Sequence, residues 1–312
     1  MPLTLGDLAY ALHGLVPFRL MCALARFQGR VQHRLGRRER SIVRDNLEAA
    51  FAGELAPAEL DRLTRRAFEY RQLRGLMLML FPRLRPAQVA RLFPVVGLEH
   101  LDEAIARGHG PVVVSSHLNS LCTFMAVQLL RERGYDIGIA LPADADPQPA
   151  SPLRRRLDAV TGRPGFRERT GAFYAQFNVR PIVRRLASGA GVVFVGDGWH
   201  SAGFAETTFL GRPAYFTTGP ASVARLTGSP VVPMFITGAP PADLRIRFEE
   251  PIAPDPDLDT RRDLNRMVTR YVERLEHHVR ESIPAWQHWF EEEAFARMAT
   301  LPEGTLAERY EI

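Results

Sequence analysis

At 312 residues and 46% hydrophobic content, the chain suffices for one large α/β domain or two small ones and is too apolar to be disordered. All 40 basic residues are arginine, set against 35 acidic ones for a net charge of +5, so Schiff-base and P-loop lysine chemistry are excluded while anionic partners are favoured. The two cysteines, Cys22 and Cys122, lie far apart, which excludes a disulfide framework and four-cysteine zinc sites and indicates a reducing compartment.

The N-terminal stretch carries Leu8, Leu12, Leu15, Val16, Phe18, Leu20, Met21 and Leu24, interrupted by His13, Arg19 and Arg26. It is not a standard signal peptide, and its charge-poor part from Ala9 to Phe18 is too short to span a bilayer. Two readings stay open: an amphipathic helix lying on a membrane surface, or an ordinary core helix. Residues 1–92 read as a helical region packing on a core, with Pro82 and Pro86 breaking the pattern near its end. From residue 93 to 312 the texture is that of an α/β core. Apolar runs at Val112 to Val114, Ile137 to Leu141, Gly191 to Val195 and Val231 to Ile236 alternate with helical segments, and Leu244 to Phe248 reads as a half-exposed strand. The predicted class is therefore α/β, with a mixed, largely parallel central sheet flanked by helices. Residues 142–165, rich in Pro, Asp, Gly and Arg, read as a surface loop over the site. Residues 261–283 place Leu264, Met267, Val268, Tyr271, Val272, Leu275, Val279 and Ile283 on one helical stripe.

The chemistry centres on Pro111-Val112-Val113-Val114-Ser115-Ser116-His117-Leu118-Asn119-Ser120-Leu121-Cys122. A buried strand ends in small polar residues and hands a histidine to the strand-to-helix turn, where α/β folds open their sites. Cys122 follows five residues later, at the start of a helix. A second apolar strand ends in Val195-Gly196-Asp197-Gly198-Trp199-His200. Asp197 there either braces a site or is a turn or N-cap aspartate.

These segments together resemble the lysophospholipid acyltransferase superfamily, and within it the lipid A biosynthesis lauroyl/myristoyl acyltransferase branch. Further stretches carry the likeness: Arg38 to Leu47 with Ala50-Phe51, Phe209-Leu210-Gly211-Arg212-Pro213-Ala214 with Thr217 to Ala221, Gly228 to Phe235, and Trp286 to Phe290. The resemblance covers about residues 10 to 300. It implies a glycerol-3-phosphate acyltransferase-like fold. It also implies transfer of an acyl group from an acyl carrier protein or coenzyme A thioester to a hydroxyl or amine, with no cofactor or metal beyond the donor.

In that resemblance His117 is the general base. Ser116, Asn119, Arg169, Gly198 and Glu206 are implied as substrate contacts, with Asn119 alternatively a helix cap. The family's usual carboxylate, five residues after the histidine, is replaced here by Cys122, a weak acceptor. Three readings follow. Cys122 is a nucleophile carrying the acyl group as a thioester. Alternatively Asp197 or Glu206 supports His117 while Cys122 packs, or the chain has lost activity and binds an acyl chain or carrier. A thioesterase using His117 and Cys122 is a further option. The arginine clusters 154–156 and 184–185 either meet an acidic carrier, coenzyme phosphates or anionic lipid, or form a solvated face. No nucleic-acid motif is present in the sequence. A cytoplasmic location, peripheral on the cytoplasmic face of the inner membrane, fits this reading. Lipid A precursors are the branch's first acceptor, but the cysteine points instead to a specialised relative in lipid, polyene or other secondary-metabolite assembly, with an amine or carrier-bound acceptor.

Overall fold

The structure, a computed structural model, describes residues 16–80, 86–141, 170–174, 179–198, 201, 203–239 and 243–301. The loop expected at 142–165, Arg154 to Arg156 and Arg169 lie outside the described residues.

Four helices open the described chain: α1 (Phe18–Leu35), α2 (Arg37–Ala50), α3 (Pro57–Leu80) and α4 (Pro86–Leu92). Pro86 stands at the first position of α4, where a missing N–H costs nothing. The α1 helix lies so close on α3 that a Cβ at Gly29 would fall 2.7 Å from the Phe68 carbonyl oxygen. Met21, Cys22 and Ala25 pack there against Leu73, Leu76 and Leu80.

The core then alternates: β1 (Val95–Val96), α5 (Leu98–Ala106), β2 (Val112–Ser115), α6 (Leu121–Glu132), β3 (Ile137–Leu141), β4 (Phe173–Tyr174), α7 (Arg180–Ala187) and β5 (Gly191–Val195). A hairpin of β6 (Phe204–Phe209) and β7 (Arg212–Thr217) follows, then α8 (Gly219–Thr227), β8 (Val231–Thr237), β9 (Arg245–Phe248), α9 (Thr260–Glu281) and α10 (Ala294–Ala299). The sheet has seven strands in the order β1-β9-β8-β2-β5-β3-β4, every pairing parallel except β8 with β9. This is the mixed, largely parallel α/β sheet expected. Central strands buried on both faces need apolar side chains on both, and β2 and β8 are buried at every position. The α9 helix spans residues 260–281, close to its predicted bounds, and the Asp259 carboxylate caps its first turn by accepting from Arg262 N.

The β6–β7 hairpin, paired from Phe204↔Thr217 to Phe209↔Arg212, was not foreseen. Its turn residues Leu210 and Gly211 both take positive φ, 50° and 74°. Gly211 was the available signal, but Leu before it is a weak turn former and hid the hairpin. Both cysteines are buried and free, in line with the absence of a disulfide framework.

Register places the site. In β2 and β5, Ser115 pairs with Val195, so the two strands end at one level on the carboxyl edge of the sheet. The next residues of each chain, Ser116-His117 and Gly196-Asp197, leave side by side although 80 positions separate His117 from Asp197. The ladder continues one step into the turn, through Gly196 N to Ser115 O at 2.8 Å.

Candidate active site

Three N–H groups converge on the Asp197 carboxylate. The His117 amide donates to both oxygens at 2.9 Å, the imidazole Nδ1 lies 2.8 Å from Oδ1, and Trp286 Nε1 donates to Oδ2 at 2.9 Å. An ionised carboxylate only accepts, so Nδ1 carries the proton and Nε2 keeps its lone pair. Among the described residues nothing bonds Nε2. The Asp197 side chain is fully buried, whereas a quarter of the His117 side chain is open.

Burial disfavours the charged form of Asp197. The charge and hydrogen bond of His117, with His288 and the Trp286 indole behind them, outweigh it and hold the carboxyl at about 2. Burial likewise works against an imidazolium at His117, but the Asp197 charge and hydrogen bond, helped by Glu291, win. The His117 pKa therefore stands above the ordinary histidine value, with Arg74 pulling the other way. The turn holding Asp197 is packed to contact: a Cβ at Gly196 would come within 2.5 Å of Val114 Cγ1 and 2.8 Å of Tyr271 Cε1. A Cβ at Gly198 would sit 3.8 Å from His117 Cε1, so Gly198 lines the imidazole edge.

A segment after α9 straps the site. Leu118 bridges Trp286, Asn119 N donates to Ala285 O at 3.0 Å, and Gln287 N donates to His117 O at 3.1 Å. His288 is buried, with its ring 4.4 Å from that of His117. Its Nε2 lies 2.9 Å from the Asp197 carbonyl oxygen, and its Nδ1 lies 2.8 Å from Glu291 Oε1. The α2 residue Asn46 anchors the end of the strap, donating to Trp289 O at 3.0 Å and Glu291 O at 2.8 Å. This explains the Asn46-Leu47 stretch seen in sequence as a structural stitch. Sequence reasoning grouped Trp286 to Phe290 with the family likeness but missed Trp286 and His288 as neighbours of the dyad. Their only local signal is the density of aromatic and basic side chains.

The remaining sequence candidates fall as follows. Asn119 is fully buried at positive φ (50°), with its amide on the Ile236 and Gly238 carbonyls at 3.0 and 3.2 Å. It clamps the end of β8, a conformation asparagine tolerates better than most residues. Ser116 is buried and accepts from Leu118 N at 3.2 Å. Glu206 lies exposed on β6, across from Tyr215. Cys122 is 0% exposed in the first turn of α6, packed in the apolar cluster of Val113, Met125, Ile139 and Met234. Burial pushes its thiol up to about 12, and Arg74 only partly offsets this. Among the described residues no hydrogen bond joins Cys122 to His117.

Donor atoms of His117, Asp197 and His288 lie within 4.8 Å of one another, a spacing a metal ion can use. In the hydrogen-bonded arrangement His117 Nδ1 faces the carboxylate and His288 Nε2 faces a backbone carbonyl.

A base with an open Nε2, a buried carboxylate behind it and a parallel-sheet edge beneath suits deprotonation of an incoming nucleophile. The sequence profile of the bacterial lipid A biosynthesis acyltransferases matches residues 4–293, nearly the whole chain. The chain belongs to that family. No curated protein sequence matches it. Membership makes it an acyltransferase of lipid A type, and a family of this activity takes acyl thioester donors. Among the described residues, no helix of this family member is long and apolar enough to cross a membrane.

Proposed function

We propose that His117 and Asp197 form the catalytic dyad of an acyl transfer from an acyl carrier protein or coenzyme A thioester to a hydroxyl or amine. The observation that carries this is the His117 Nδ1–Asp197 contact at 2.8 Å, with Nε2 left open at the sheet edge. Nε2 takes the acceptor proton as the acceptor oxygen or nitrogen attacks the thioester carbonyl. The new bond to carbon forms, the C–S bond breaks, and the imidazolium returns its proton to the departing thiolate. Asp197 fixes the tautomer and stabilises the imidazolium between these steps. The step needs no cofactor.

Of the three readings of Cys122, its surroundings favour packing. Burial holds its thiol in the neutral form, which is neither a nucleophile nor a good acceptor. Intact mass and turnover with an acyl thioester test this: Cys122→Ala should keep activity within a few-fold and wild type should show no acyl adduct, while His117→Ala loses activity. An acyl mass that vanishes in Cys122→Ala would restore the nucleophile reading, and hydrolysis without transfer would indicate a thioesterase.

We also assign the membrane-facing surface to α1. Leu20, Leu24, Phe27 and Leu35 are 50%, 56%, 61% and 77% exposed, opposite the face packed on α3. The helix carries Arg19, Arg26, Arg30 and Arg34 and no acidic residue. An exposed apolar stripe beside arginines fits the surface of an anionic bilayer.

A further inference from the structure

Arg74, in the middle of α3, is 1% exposed and ranks among the largest fully buried side chains. Its Nη1 donates to the Ala285 carbonyl, while its Nε is buried without an acceptor. Among the described residues no carboxylate pairs with it. The groups whose charge bears on it are Cys122, Arg71 and Tyr70. Burial brings its pKa down to about 10, so it stays charged at neutral pH. A buried guanidinium without a counter-ion is strongly disfavoured, and the Cys122 thiol is neutral.

A fold does not need this cation here, because Ala285 O already accepts from Asn119 N at 3.0 Å. What Arg74 touches is the first residue of the strap that supplies Trp286 and His288 to Asp197 and Gln287 to the His117 carbonyl. We propose that Arg74 is a positioning residue for the His117–Asp197 pair: a buried cation, without a counter-ion among the described residues, which anchors the Ala285 strap and keeps positive charge within electrostatic reach of the imidazole. The inference rests on His117 acting as base.

The charged and titratable groups around His117 are Asp197 on the β5 turn, His288 and Glu291 on the strap, and Arg74 on α3. Two of these are acidic and favour imidazolium. A base held too firmly in its protonated form returns to the free form only at high pH, and Arg74 opposes that. Removing or neutralising its charge should therefore raise the proton affinity of His117.

The test uses the full chain with labelled histidines, titrated by NMR, with the His117 signal identified by its loss in His117→Asn. Arg74→Gln keeps a donor but removes the charge, and Arg74→Lys keeps the charge. If the Arg74 charge bears on the imidazole, Arg74→Gln raises the His117 pKa by about one unit, a tenfold gain in proton affinity, while Arg74→Lys leaves it at the wild-type value. An unchanged His117 pKa in folded Arg74→Gln, or an equal shift in Arg74→Lys, overturns the proposal. Should Arg74→Gln fail to fold, Arg74→Met, an apolar side chain of similar length, decides in its place. The titration does not depend on turnover: a shifted His117 pKa with an unmoved pH–rate profile would instead count against His117 as base.

Discussion

Replacing Asp197 by Asn tests the dyad most sharply, because the change is nearly isosteric and its consequences follow from the contacts. Three N–H groups, the His117 amide and Nδ1 and the Trp286 indole, now meet a group with two acceptor oxygens. An amide offers one oxygen and turns an NH2 toward at least one of those donors. Stranding a buried donor costs about 1–3 kcal/mol of stability. The electrostatic loss is larger. Two unit charges about 4 Å apart at an effective dielectric of 20 interact by about 4 kcal/mol, an upper bound near three pKa units. Much of that now stabilises the imidazolium formed during turnover. In serine-protease triads the same carboxylate-to-amide change costs about 10^4 in kcat. Asp197→Asn should thus lower kcat by roughly 10^2–10^4 with little change in KM, and lower the melting temperature modestly. The assay is acyl transfer from an acyl carrier protein or coenzyme A thioester, followed by loss of thioester and gain of acylated acceptor, with a thermal melt alongside. A variant that folds and keeps kcat within about threefold of wild type would show that Asp197 does not serve His117.

Two further outcomes follow from the same geometry. With His117 as the proposed free base and its pKa raised, kcat/KM should fall as pH drops, with an acid limb above 6.5; a limb at or below that value would contradict the net effect of Asp197 and Glu291 on His117. The pair's contribution to stability has the opposite dependence at its two ends. Asp197 loses its share as pH falls from 3.8 toward 2, and His117 loses its share as pH rises through its raised pKa. On the α1 face proposed to meet the membrane, Leu24→Asp combined with Phe27→Asp should abolish co-sedimentation with anionic vesicles while leaving the melting temperature within a few degrees, because both side chains are already more than half exposed. Unchanged vesicle binding would move the contact elsewhere on the chain.

The sequence by itself determined the elements that local pattern can report. Apolar runs marked β2, β3, β5, β8 and β9, a 3.6-residue stripe marked α9, and a histidine at the exit of one strand with an aspartate at the exit of another marked the chemistry. The order of motifs was enough to reveal the family. It could not decide which carboxylate serves His117, because a residue's spacing along the chain says nothing about which strands become neighbours. Position 122, five residues away, was the obvious place to look; the tertiary structure brings in position 197 instead, by laying β5 beside β2 with their ends level. The same non-local step turned Cys122 inward among Val113 and Met125, and folded a segment nearly 90 residues beyond Asp197 over it as a hydrogen-bonded strap. It also buried Arg74 with no carboxylate paired to it among the described residues, which no helical pattern in α3 could announce. Burial and charge balance at a site are sums over groups from distant parts of the chain, so they exist only once the chain has packed.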